Sequence, residues 1–215
     1  MTMKTSLDGS RTIGMNSLRI IAVNTGVKFG EWYVDNLKYM IDTYSGLNYD
    51  SFEVIRDENY YSWFNKLQMF DRFKDGQNLY FDLDIVIKGP VPDLLRKDFT
   101  LCHAWWRTPD HTPLNSSIMS WQGDQSHIYK KFCESPDHFM LKYNRGIDQF
   151  IYEHIPYKTY DKVCYSIKGR EYDPEDPDYS ICLFNQRKIL MEDGWNGWWK
   201  NYFISDMATT TSKGV

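Results

Sequence analysis

Two aspartates one residue apart, Asp82 and Asp84, interrupt the clearest strand signal in the chain, Leu79-Tyr80-Phe81-Asp82-Leu83-Asp84-Ile85-Val86-Ile87. Alternation along a strand would put both carboxylates on one face and Phe81, Leu83 and Ile85 on the other. Their Cα atoms would then stand roughly 6.5 Å apart. Two like charges on an apolar strand are costly unless something neutralises them. A divalent cation does so, and carboxylates suit Mg²⁺ or Mn²⁺, ions that keep water or phosphate oxygens as further ligands. An isolated D-x-D also fits an ordinary strand end turned to solvent, but the apolar flanks favour the ligand reading. Other metal chemistry has less support. His103, His111, His127, His138 and His154 make no i, i+4 pair, and Cys102, Cys133, Cys164 and Cys182 make no C-x-x-C spacing, which excludes a zinc ribbon.

The elements that would hold such a pair can be read from periodicity. Leu18 to Asn24 is a short apolar run and reads as a buried strand, closed by a turn at Thr25-Gly26 and Gly30. Tyr33, Val34, Leu37, Met40, Ile41 and Tyr44 fall at helical spacing, which predicts a helix over 31–44 with Gly46 as its stop. Phe52 to Ile55 reads as a second strand. Tyr60, Trp63, Phe64, Leu67 and Phe70 form one stripe of a second helix, and the Asp82 strand follows. Strand, helix, strand, helix, strand predicts a single-domain α/β fold, a mostly parallel central sheet flanked by helices. The acidic pair then falls toward the C-terminal half of a parallel strand, the edge where open α/β sheets bind ligands. Beyond Pro90 the expected pieces are a strand at 117–121, helices at 125–132 and 148–154, and a strand at 179–184. Residues 1–17 read as a flexible leader, 18–205 as the domain and 206–215 as a flexible tail.

Composition narrows the function classes. Lys and Arg total 25 against 29 Asp and Glu, a net charge of −4, which argues against a nucleic-acid scaffold. With 12 Phe, 8 Trp and 16 Tyr in 215 residues, rings remain beyond the needs of a core for a stacking surface. The longest apolar runs are too short to span a bilayer. Scattered thiols and a polar N-terminus without an apolar signal region lead to the expectation of a cytoplasmic protein.

The segment Trp63-Phe64-Asn65-Lys66-Leu67-Gln68-Met69-Phe70, followed by Leu79-Tyr80-Phe81-Asp82-Leu83-Asp84, resembles the central signature of GT-A fold glycosyltransferases. It is most similar to small bacterial and viral members distantly related to the glycogenin-like group. Val23-Asn24-Thr25-Gly26-Val27-Lys28-Phe29-Gly30-Glu31-Trp32-Tyr33-Val34 resembles their first strand, Lys-containing turn and aromatic helix start. Asn115-Ser116-Ser117-Ile118-Met119-Ser120-Trp121 resembles their Asn-Ser step. Asp148-Gln149, after Gly146, resembles their Asp-Gln pair.

The resemblance implies a UDP- or GDP-sugar donor, Mn²⁺ or Mg²⁺, and transfer to a glycan, protein or lipid acceptor. Asp82 and Asp84 would hold the metal. Asn24, Thr25 and Lys28 would lie beside the nucleotide. Asp57 would bind base or ribose, or serve as a helix cap. Lys66 would reach a phosphate or the acidic pair, or lie along the surface. Asn115 and Ser116 would face the donor sugar, or serve as turn formers; Gln149 would help bind the donor; and Asp148 would act as base or as sugar-positioning carboxylate, or serve as a helix cap. One departure concerns the C-terminal His of metal-dependent relatives. Asn185 stands near that place, a weaker ligand through its carbonyl, with Arg187 and Lys188 able to pair with the diphosphate. A non-catalytic nucleotide-sugar or glycan binder of the same fold is the alternative. A phosphohydrolase using the two aspartates is disfavoured, because Ile85-Val86-Ile87 continues the strand.

Overall fold

The computed structural model describes residues 17–107, 112–167, 179–185 and 198–204. Strand β1 (Leu18–Val23) leads to helix α1 (Glu31–Tyr44) and strand β2 (Ser51–Ile55). A 3-10 helix (Ser62–Gln68) runs into the single α turn of α2 (Met69–Arg72). Then come β3 (Gln77–Phe81), β4 (Ile85–Ile87), β5 (Thr100–His103) and β6 (Leu114–Gln122). Helices α3 (Ser126–Cys133), α4 (Pro136–Lys142) and α5 (Ile147–His154) follow. Strands β7 (Lys158–Tyr160), β8 (Cys164–Ser166) and β9 (Ile181–Leu183) and a 3-10 helix (Trp198–Tyr202) come next, and a further 3-10 turn (Pro92–Leu94) lies between β4 and β5.

The central sheet has six strands in the order β2-β1-β3-β6-β5-β7. Three of its five pairings are parallel (β1–β2, β1–β3 and β5–β7), and β6 runs antiparallel to both its neighbours. The expected mostly parallel sheet is therefore present, with one reversed strand inside it. Alternation assigns the faces. Leu18, Ile20 and Ala22 of β1 and Leu79 and Phe81 of β3 join α1 in one buried cluster. Ile21 and Tyr80 point the other way, into a second cluster with α2, α3 and α5. A small sheet in the order β4-β9-β8 packs on the α1 side.

The expected strand over 79–87 is broken in two. Phe81 is the last residue of the central sheet, whereas Ile85 pairs with Leu183 in the small sheet. Asp82-Leu83-Asp84 is the crossing segment. Its aspartates do not alternate along a strand, and Leu83 is buried in the α1-side cluster between them. Apolar residues flank the crossing on both sides because both halves are buried, so periodicity cannot reveal it.

The second expected helix is also different. The turns over 62–68 are wound as a 3-10 helix, in which residues three apart eclipse. Asn65 and Gln68 have that spacing and are buried. Asn65 Oδ1 accepts from the Tyr60 amide at 2.9 Å, and its Nδ2 donates to the Tyr60 and Ser62 carbonyls. Gln68 Nε2 donates to the Asp57 carbonyl at 2.9 Å. These bonds tie the helix to the loop after β2 and fix where Trp63 and Lys66 stand.

Candidate active site

A cleft of about 1010 Å³ opens at the C-terminal ends of β1 and β3 and beside the N-terminal end of the reversed strand β6. Its position follows the rule for open α/β sheets, and its size suits a nucleotide-sized ligand. Thr25, Lys28, Lys66, Asp82, Asp84, Asn115, Ser116, Asp148, Gln149 and Asn185 all line it. The sequence had scattered these over more than 160 residues. Two other expected residues turn away. Asp57 is exposed and pairs with Arg72 at 2.6 Å, while its neighbour Glu58 lines the cleft. Asn24 is buried and donates to Glu31 Oε1 at 3.3 Å. Arg187 and Lys188 lie outside the described residues.

The acidic pair is held from both sheets. The Asp82 amide donates to the Ser117 carbonyl at 2.8 Å, fixing the pair to β6. The Phe184 amide donates to the Asp84 carbonyl at 2.9 Å, so the β4–β9 ladder carries Asn185 to the same spot. Asn185 adopts φ +49°, in the left-handed region that Asn tolerates better than most residues. Its side-chain oxygen accepts from Asn115 Nδ2 at 3.3 Å, and its Nδ2 donates to Ser166 Oγ. Asp82 Oδ1 receives the Lys66 ammonium at 2.6 Å and the Tyr80 hydroxyl. Burial and the Asp82 and Asp84 carboxylates hold the Tyr80 hydroxyl far above its ordinary pKa, so it stays a donor.

Among the described residues no three His, Cys, Asp or Glu side chains gather into a metal-binding group. Two carboxylates and the Asn185 amide oxygen in one cleft are nonetheless a hard-oxygen set. Such a set fits Mg²⁺ or Mn²⁺ if phosphate and water complete the shell.

Another part of the cleft wall is built around Asp148, in the first turn of α5. Its Oδ1 accepts from the Ser116 amide at 3.0 Å and its Oδ2 from Arg107 Nη2 at 2.9 Å. Arg107 also donates to the carbonyls of Thr112 and Leu114, which anchors it to the start of β6. Gly146 precedes α5 with φ +134° and ψ 174°, a conformation open essentially to glycine alone. Gln149 accepts from the Thr112 hydroxyl and donates to Glu153 Oε1 at 2.8 Å.

Sequence reasoning missed Arg107 as the partner of Asp148, because only the fold brings positions 107 and 148 together. It also missed Tyr61 and Trp63 as lining residues, the first of them 67 % exposed. Two of the described tryptophans serve packing. Trp105 stacks on Tyr179 and donates to the Cys164 carbonyl, and Trp199 packs edge-on against Phe184. Trp106 lines the cleft.

No protein-family model and no curated protein matches the sequence. The structure is similar to a glycosyltransferase involved in glycosylation of the major capsid of PBCV-1, with TM-score 0.58 and 15 % identity over 78 % of this chain and 92 % of that one. The glycosyltransferase GlyE of Streptococcus pneumoniae TIGR4 superimposes with TM-score 0.49 and 12 % identity, over 68 % of this chain and 46 % of that one. The chain has a GT-A-like fold, distantly similar to that of glycosyltransferases. Among the described residues no helix is long and apolar enough to cross a membrane.

Proposed function

We propose that the chain transfers a sugar from a nucleoside-diphosphate sugar, with UDP or GDP as leaving group, to an acceptor hydroxyl. The observation that supports this reading is the convergence of Asp82, Asp84, Asn185 and Asp148 on one cleft of a GT-A-like fold. Asp82 and Asp84, with the Asn185 amide oxygen, are the residues to hold Mn²⁺ or Mg²⁺. Such a cation, when bound, stabilises the charge that develops on the departing diphosphate.

The chain's own groups have separable tasks. Thr25 and Lys28, in the turn after β1, flank the nucleotide. Lys66 offers an ammonium to phosphate. Asn115 and Ser116 border the donor sugar. Asp148, pinned by two donors, presents a fixed carboxylate to sugar hydroxyls, where orientation within hydrogen-bond reach is what counts. Gln149, at the next position, lines the same cleft and borders the donor.

The test is release of UDP or GDP from a panel of nucleotide sugars, with Mn²⁺ and with EDTA. Turnover with Mn²⁺ is expected to fall at least about 100-fold in EDTA, and about 100-fold in Asp148→Asn. One observation favours the non-catalytic alternative. The Asn185 side chain is engaged with Asn115 and Ser166. Metal-dependent binding of UDP or GDP without any turnover would select that alternative.

A further inference from the structure

Lys66 is not a rim lysine. Its ammonium lies 2.6 Å from Asp82 Oδ1, with the two side chains only 14 % and 18 % exposed. It stands 5.4 Å from the centre of the Tyr80 ring, whose hydroxyl donates to the same carboxylate oxygen. The 3-10 helix that carries it is tied down by the buried Asn65 and Gln68. The ammonium is thus part of the acidic cluster. It thereby offsets the charge of one of the two clustered carboxylates.

Resting on the donor-binding reading above, we propose that Lys66 is a built-in counter-cation of Asp82 that suppresses binding of a bare divalent ion. A divalent ion entering alone must share Asp82 with the ammonium and is repelled by it at close range. A nucleoside diphosphate entering with the ion brings oxygens that complete the ion's shell. It also brings negative charge, to which the ammonium can turn. Ion and nucleotide therefore bind as mutually dependent partners, and by linkage each tightens the other by the same factor. Lys66 sets the size of that factor.

Mn²⁺ titrated calorimetrically into the full chain, alone and with saturating UDP or GDP, tests the assignment. In Lys66→Met and Lys66→Gln, Mn²⁺ alone is expected to bind about tenfold tighter than in wild type. The tightening of Mn²⁺ by nucleotide is expected to shrink by about the same factor. The glutamine can still donate to Asp82, so it serves if the methionine variant does not fold. Lys66→Arg keeps the charge and should retain weak binding of the bare ion, an outcome that a merely structural role would not require. If all the proteins bind Mn²⁺ with nucleotide but the neutral variants bind Mn²⁺ alone no tighter than wild type, the counter-cation is refuted and the donor site stands. If none binds Mn²⁺ under any condition, both readings fall.

Discussion

Asp148 has one donor on each carboxylate oxygen, Ser116 N–H on Oδ1 and Arg107 on Oδ2. This is costly to disturb from one side only. Arg107→Met would leave a largely buried carboxylate without its cation, an expected loss of about 1–3 kcal/mol in urea unfolding. Arg107→Met combined with Asp148→Asn should cost less than the two single changes added, because the double variant buries no uncompensated charge. Additive losses would mean that the pair is not coupled and that Asp148 is positioned by other groups. At the same scale, Asn185 and Asp84 are neighbours only through the β4–β9 ladder, so no local motif could disclose them as a set.

Among the elements, α4 and α5 form the wall that presents Asp148, and a polar clamp joins them. Glu153 on α5 accepts from Lys142 at 2.8 Å, from the Tyr143 hydroxyl at 2.6 Å and from Gln149 at 2.8 Å. These bonds, that from Lys142 foremost, draw the Glu153 pKa down from 4.5 to about 2. A carboxyl whose folded pKa is depressed contributes stability above its unfolded pKa and loses it as the pH falls through the folded value. Thermal stability should therefore decline between about pH 4.5 and pH 2, and Glu153→Gln should flatten that part of the profile. An unchanged acid limb in the variant would show that the clamp adds nothing, as exposed pairs often do.

Helix α1 was legible to the residue, Glu31–Tyr44, because its buried stripe repeats at 3.6 and Gly46 follows it. Strand β5 and helix α4 left no readable trace. One has four residues ending in an exposed His103, and the other is seven residues with Phe139 as its buried side chain. The 79–87 run misled for the opposite reason, since both halves are apolar and nothing local marks a change of sheet. The candidate site was legible as residue types in order. The reach of Lys66 to the acidic pair was among its expected roles, but the rest of the geometry, with Asp57 turned to Arg72 and Arg107 brought to Asp148, was not legible.

Over the whole molecule, the crossing segment Asp82-Leu83-Asp84 is the joint where the central sheet hands the chain to the small sheet. Leu83 anchors the joint in the core, while the two aspartates border the cleft. On the proposed function, stability and ligand binding fall to different side chains of one tripeptide, and they should separate on substitution. Calorimetric titration of UDP and GDP in the presence of Mn²⁺, for wild type and Asp84→Ala, tests this most directly. The expected result is a nucleotide that binds the wild type and binds Asp84→Ala at least about tenfold more weakly, with the variant still melting cooperatively. Equal affinity in the two proteins would contradict it.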